Sequence, residues 1–296
     1  MNIKTVTVCG SGVLGSQIAF QTAFHGFDVR VYDLNDELIG KAKATLSGLQ
    51  TPYQQDLHAT SADTQAALNR IRFFTDLTQA VRGSDLVIEA IPEVLDIKQR
   101  FYSELGKVAD AHTIFATNSS TLLPSAMMDF TGRPERFLAL HFANRIWRQN
   151  TAEIMRTART DDAVFEEVIQ FARDIGMAAL PIHKEQPGYI LNTLLVPLLG
   201  AALELVVGGV ADPHTVDKTW MVGTSAPIGP FGMLDVIGLT TPYNINRNAA
   251  EAFPRRAAVA QYLKENFIDQ GKLGVATSEG FYRYPNPAYQ NEDFLT

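Results

Sequence analysis

The sequence predicts an α/β domain built on a doubly wound, mostly parallel sheet, followed by an all-α C-terminal domain. Three observations carry this reading. From Thr5 to Ile182, short apolar or β-branched runs alternate with helical stretches, the pattern of a parallel sheet covered by helices. The first run breaks into a glycine-rich turn that opens a helix. After Lys184-Glu185-Gln186-Pro187-Gly188, strand signals thin out and helical ones take over. The expected division is therefore residues 1–185 and 186–296.

Thr5-Val6-Thr7-Val8-Cys9 reads as a buried strand. It ends in Gly10-Ser11-Gly12-Val13-Leu14-Gly15, a G-x-G-x-x-G. Gly10 permits a tight turn, Gly12 lets the backbone approach a pyrophosphate, and Gly15 lets the helix pack close to the strand. Ser11, Val13 and Leu14 complete the loop, whose N–H groups at the helix N-terminus suit phosphates. Gly26 stops the helix. Val29-Arg30-Val31-Tyr32 forms a second strand ending at Asp33, about twenty residues beyond the loop. Its carboxylate suits a ribose diol and repels a 2′-phosphate. Strand, turn, helix, strand and acid in this order predict a Rossmann-type domain that binds NAD rather than NADP.

Residues 35–69 read as two helices, interrupted around Thr51-Pro52 and Thr60-Ser61-Ala62-Asp63, in an excursion from the sheet. Ile71-Arg72-Phe73-Phe74 and Asp85-Leu86-Val87-Ile88-Glu89-Ala90 read as the third and fourth strands. Pro92-Glu93 opens a helix to about Ala109 with Ile97, Phe101 and Leu105 on its inner stripe. Thr113–Thr117 and Phe137–His141 follow as strands. Ala152-Glu153-Ile154-Met155 comes too soon after His141 for a helical crossover, which predicts antiparallel pairing with Glu153 beside His141. A helix from Asp161 to Ile175 and a strand from Ala178 to Ile182 close the domain. Helices are expected over 189–208, 213–222, about 232–253 and 256–269.

Composition narrows the function. Net charge is −7 with no long basic run, which argues against nucleic acid or an anionic membrane as partner. The single cysteine, Cys9, cannot form an internal disulfide, and the first strand begins within a few residues of Met1, leaving no room for a signal peptide. A cytoplasmic setting follows. Tyr189–Val210 is apolar, yet it holds Asn192, Pro197 and Glu204 and lacks basic flanks. It reads as a buried or interface helix rather than a membrane span. No metal is expected.

Ligands of such sheets bind beyond the strand carboxyl ends. A nicotinamide enzyme that oxidises an alcohol needs a base near neutral pKa, a carboxylate to orient it and a donor aimed at the reacting oxygen. His141, Glu153 and Ser120 fit these roles. Asn118, at the end of the fifth strand, is a candidate cofactor contact.

With these residues placed, the chain resembles the L-3-hydroxyacyl-CoA dehydrogenase family, which includes the 3-hydroxybutyryl-CoA dehydrogenases. The resemblance runs nearly end to end. It rests on the glycine loop, Glu89-Ala90-Ile91-Pro92-Glu93, Thr117-Asn118-Ser119-Ser120 and Arg136-Phe137-Leu138-Ala139-Leu140-His141-Phe142-Ala143-Asn144. It continues in Pro187-Gly188-Tyr189-Ile190-Leu191-Asn192, Gly229-Pro230-Phe231 with Leu234-Asp235, and Glu279-Gly280-Phe281-Tyr282. The resemblance implies NAD-dependent interconversion of a 3-hydroxyacyl-CoA and its 3-ketoacyl-CoA, short-chain, within fatty acid metabolism. It makes His141 the acid/base, Glu153 its partner, Ser120 a substrate and cofactor contact, and Asn192 the residue that completes the site. Glu93, Lys98 and Asn144 become contacts around the nicotinamide half, and the helical domain becomes a homodimer interface. The chain departs from the family at Arg145-Ile146-Trp147-Arg148-Gln149-Asn150, where a proline and an apolar run are usual, and at Thr193 and Ala276. Only Lys41 and Lys43 supply lysine in the 35–70 excursion. Two rival readings are a dehydrogenase of a free hydroxy acid, as in the gulonate and carnitine dehydrogenases, and a non-catalytic NADH-binding protein of the kind found among lens crystallins.

Overall fold

The computed structural model describes residues 3–296 and divides into two compact units, Met1–Ile190 and Leu191–Thr296. The first unit is an eight-stranded sheet in the order β3-β2-β1-β4-β5-β6-β7-β8. The strands are β1 (Thr5–Cys9), β2 (Asp28–Tyr32), β3 (Ile71–Phe74), β4 (Leu86–Glu89), β5 (Ile114–Thr117), β6 (Phe137–Phe142), β7 (Thr151–Arg156) and β8 (Ala178–Ile182). Every neighbouring pair is parallel except β6 and β7. The order reverses between β1 and β4, and in such sheets a crevice opens at that switch point beyond the strand ends. Gly10 and Ala90 stand there.

Strand periodicity divides the core between the two faces of the sheet. Val6, Val8 and Ile88 join one apolar cluster with Ile18 and Phe20, while Cys9 and Val87 join another with Phe101, Tyr102 and Phe115. Helices α1 (Val13–Phe24), α2 (Asp36–Gly48), α3 (Gln50–Leu57), α4 (Ser61–Asn69), α5 (Leu77–Val81), α6 (Leu95–Val108) and α7 (Asp162–Asp174) connect the strands.

Some details of the first unit differ from the sequence reading. The 35–69 excursion holds three helices, not two, because Pro52 lies in the first turn of α3, where its missing N–H costs nothing. Helix α6 starts at Leu95 rather than at Pro92-Glu93, since Val94 N–H turns back to the Pro92 carbonyl and Glu93 is engaged elsewhere. On α6 Ile97 faces outward, and the buried positions are Lys98, Phe101, Tyr102 and Leu105.

The second unit contains α8 (Leu191–Val207), α9 (Pro213–Thr224), α10 (Pro230–Ile237), α11 (Thr240–Ala249) and α12 (Pro254–Asn266). The single helix expected over 232–253 is two, broken at Gly238, whose φ of +91° leaves the helical region. Among the described residues, no helix is long and apolar enough to cross a membrane.

Two buried carboxylates hold this unit together. Asp217 accepts the N–H groups of Phe231 (2.8 Å) and Gly232 (3.0 Å) and the Tyr282 hydroxyl (2.8 Å), so it caps α10 from a distance. Asp235 accepts the N–H groups of Phe281 (2.9 Å) and Tyr282 (2.8 Å) and the Tyr284 hydroxyl (3.1 Å). A Cβ on Gly280 would lie 2.0 Å from Asp235 Oδ1, and one on Gly229 would lie 2.3 Å from Asp217 Cγ. This explains why Gly229-Pro230-Phe231 and Gly280-Phe281-Tyr282 read as motifs: each glycine makes room for the carboxylate that pins its neighbours. Burial pushes both carboxyls above the ordinary range, against the pull of their hydrogen bonds. Asp235→Ala leaves three donors without their acceptor and should destabilise the second unit by about 3 kcal/mol. Urea unfolding followed through Trp220, in a Trp147→Phe background, measures it.

Candidate active site

At the switch point the glycine loop is moulded to its neighbours. Gly10, with φ of +95°, lies so close to β4 that a Cβ would sit 2.5 Å from the Ala90 carbonyl oxygen, and a Cβ on Gly15 would sit 1.9 Å from the Gly10 oxygen. Gly12 differs: a Cβ there would meet nothing within 4 Å. The loop is therefore closed beneath and open above at the N-terminus of α1, which suits a pyrophosphate. Ser11 donates its N–H (2.8 Å) and its hydroxyl (2.5 Å) to Asp33 Oδ2, and Leu34 N–H donates to Oδ1 (2.8 Å). A carboxylate accepts about four hydrogen bonds, so Asp33 keeps capacity for a ribose hydroxyl. These residues fit the dinucleotide that the loop implies. Val13 and Leu14 form the first turn above this opening.

Further along the strand ends, β6 and β7 pair with His141 opposite Glu153. His141 Nδ1 lies 3.1 Å from Glu153 Oε2, and Nε2 lies 3.1 Å from Ser120 Oγ. An ionised carboxylate only accepts, so Nδ1 carries the proton and Nε2 of the neutral ring accepts from the Ser120 hydroxyl. His141 and Glu153 are buried and Ser120 is half-buried. An imidazole, a carboxylate and a hydroxyl thus meet in one unit.

Ser120 is held in turn. Glu93 Oε1 accepts from the Ser119 hydroxyl (2.5 Å), from Ser120 N–H (3.0 Å), and from Thr121 N–H and hydroxyl (2.9 Å each). Its Oε2 lies 3.3 Å from Lys98 Nζ. Burial raises the Glu93 pKa, but the Ser119 hydroxyl, Thr121 N–H and the Lys98 ammonium outweigh it, and the carboxyl titrates at about 2. Lys98 is only 1 % exposed, and its ammonium also pairs with Glu89, which is 0 % exposed. Glu89 further accepts from Ile91 N–H (3.0 Å), the Tyr102 hydroxyl (3.2 Å) and the Thr117 hydroxyl (2.8 Å).

Of the residues singled out from sequence, Gly10, Ser11, Gly12, Gly15 and Asp33 stand together at the loop. His141, Glu153 and Ser120 form the second group, with Glu93 behind Ser120. Asn118 turns its side chain into the sheet, where Oδ1 accepts from Phe142 N–H at 3.0 Å. Asn144 is exposed just past β6, and Asn192 lies in the first turn of α8 in the second unit. Sequence reasoning missed Glu89 as a site residue, though an acid inside the apolar run 86–90 demands a buried partner. It gave no role to Ser119 or Tyr189, although both lie in the motifs 117–120 and 187–192 that carry the resemblance.

The family model for the 3-hydroxyacyl-CoA dehydrogenase NAD binding domain matches residues 5–186, and that for the C-terminal domain matches residues 188–284. The chain is 33% identical over 288 residues to the mitochondrial hydroxyacyl-coenzyme A dehydrogenase of Rattus norvegicus, covering 95% of this chain and 91% of that one. It is 32% identical over 291 residues to a probable 3-hydroxybutyryl-CoA dehydrogenase of Bacillus subtilis, covering 96% and 98%. Among solved structures, a diketoreductase described for substrate-directed dual catalysis of dicarbonyl compounds superposes with a TM-score of 0.93. It is 55% identical, over 96% of this chain and 100% of the other.

The depressed pKa of Glu93 has a signed consequence. Its folded value lies below the unfolded one, so the stability it contributes is complete above about pH 4.5 and vanishes as pH falls toward 2. Melting temperatures of the parent and Glu93→Gln should differ at neutral pH and converge across that window.

Proposed function

The chain belongs to the 3-hydroxyacyl-CoA dehydrogenase family as an NAD-dependent oxidoreductase, and from that premise we propose that it interconverts a short-chain 3-hydroxyacyl-CoA and its 3-ketoacyl-CoA with His141 as acid/base. The observation that carries the proposal is the double engagement of one imidazole, Nδ1 with Glu153 and Nε2 with Ser120. NAD, held by the glycine loop and Asp33, would supply or accept the hydride at C3 when bound. In reduction, the Ser120 hydroxyl and protonated His141 Nε2 point at the C3 oxygen, and Nε2 delivers the proton as charge builds there. Glu153 stabilises the imidazolium on either side of that transfer. In oxidation, neutral Nε2 takes the hydroxyl proton. Asn192 keeps the donor role that the family resemblance gives it. Glu93, Asn118 and Asn144 would contact the nicotinamide half, with buried Lys98 acting through Glu93. Exposed Leu194, Val210, Val222 and Phe253 of the second unit fit a homodimer. A cytoplasmic setting suits the single buried thiol.

A second reading, a compact dicarbonyl substrate without CoA, draws on the 55% identical diketoreductase and on the state of the basic residues. Lys41, which pairs with Glu37 at 2.6 Å, and Lys43, which lies over the Phe73 ring, are the two lysines of the 35–70 excursion, so that segment offers few cations for CoA phosphates. The segment after β6 is tied down too. Trp147 Nε1 donates to Asp56 at 2.8 Å, and Arg145 and Arg148 reach the same carboxylate at 3.8 and 3.5 Å. Steady-state assays of acetoacetyl-CoA, acetoacetate and a simple dicarbonyl compound, 2,4-pentanedione, with NADH and NADPH separate the readings. The family reading predicts the highest kcat/KM for acetoacetyl-CoA, whereas preference for the free dicarbonyl compound selects the second. With whichever ketone is turned over, His141→Gln should lower kcat by about a hundredfold or more while NADH binding persists. An undiminished rate removes His141 from the chemistry.

A further inference from the structure

The two hydrogen bonds that hold His141 lie in the plane of its ring, one at each nitrogen. With the Cβ–Cγ bond they set the ring approximately, but hydrogen bonds tolerate tens of degrees of bending, so the tilt of the ring about them is only loosely held. Something must press on its face for Nε2 to keep one aim.

Tyr189 does so. Its ring stacks on the imidazole with centroids 4.4 Å apart and planes inclined by 16°. Its hydroxyl donates to the Ser119 carbonyl at 2.6 Å, and the next residue, Ile190, donates its N–H to Glu153 Oε1 at 2.9 Å. Tyr189 is 1 % exposed and adopts a φ of +56°, an uncommon conformation for an aromatic residue. Surroundings that hold a residue there must compensate for it. Ser119 is meanwhile held through its hydroxyl by Glu93, so the peptide that leads into Ser120 is fixed from two sides. Burial pushes the phenol pKa up, which keeps this donor protonated throughout the neutral range.

We propose that Tyr189 is a positioning residue for proton transfer: its ring sets the plane of the His141 imidazole, its hydroxyl sets the Ser119–Ser120 peptide, and the backbone beside it sets the second oxygen of Glu153. One turn of chain therefore orients all three members of the acid/base group. The inference rests on His141 exchanging the proton, as proposed above.

Two variants test it on the full-length protein. Tyr189→Leu removes the ring and the hydroxyl, and should lower kcat about ten- to a hundredfold with KM for NADH within about twofold, since a misaimed base slows the transfer without weakening the dinucleotide site. Tyr189→Phe keeps the ring and should recover most of that loss, leaving a deficit of about threefold. In substrate-free NMR spectra, the His141 ring C–H signals should lie upfield in the parent and in Tyr189→Phe, and move downfield in Tyr189→Leu. Three results overturn the proposal: a leucine variant within twofold of the parent, a loss carried by KM for NADH, or a phenylalanine variant no better than leucine. Should the leucine variant not fold, Tyr189→Phe decides alone: an upfield His141 signal with a small kcat deficit supports the proposal, and no upfield signal overturns it. A parent that turns over no ketone sinks the functional reading as well, whereas an active parent with an indifferent leucine variant sinks this inference alone.

Discussion

Residues 143–150 are too few to carry the chain across the sheet through a helix, so β7 turns back and pairs antiparallel with β6. Directly opposed residues in such a pair project to the same face, and the register opposes His141 to Glu153. The imidazole and the carboxylate are thus joined by sheet hydrogen bonds rather than by a flexible loop. Everything else in the group adjusts to that fixed pair. Ser120 is brought to Nε2 by the loop after β5, and Tyr189 covers the ring from the segment after β8.

A second polar layer ties the switch point of the sheet to that pair. Glu89 and Lys98 bury opposite charges, an arrangement that contributes less to stability than an apolar pair often would, because both ions lose their hydration. Its effect is geometric. Glu89 gathers Ile91 N–H, Tyr102 and Thr117 around the ends of β4 and β5, and Lys98 extends the charge to Glu93, which gathers Ser119 to Thr121. Ala90, between these acids, is the residue against which Gly10 packs. The glycine loop and the loop after β5 therefore share one anchor.

Much of this was legible in the sequence because it follows from local rules. Glycine spacing, β-branched runs and a short connection fix the dinucleotide loop, the parallel strands and the opposition of His141 and Glu153. What escaped depended on contacts distant in sequence. Helical periodicity put Ile97 on the inner stripe of α6, yet Lys98 is inside because Glu89, nine residues earlier and on a strand, supplies its counter-ion. Pro52 read as a break because nothing local says that the preceding helix ends just before it. Tyr189 read as the first residue of a helix over 189–208, and its stacking on His141, 48 positions earlier, follows from no pattern that links them. The role of Asn192 rests on resemblance alone.

The central claim is that the Glu153 carboxylate, set opposite His141 by strand register, makes that imidazole an effective acid and base. The most direct measurement is kcat for ketone reduction by Glu153→Gln, with NADH affinity followed by fluorescence. The amide can still accept from Nδ1–H but carries no charge to stabilise the imidazolium. A fall in kcat of about a hundredfold or more with NADH affinity retained is the predicted result. A kcat equal to that of the unaltered protein would contradict the account.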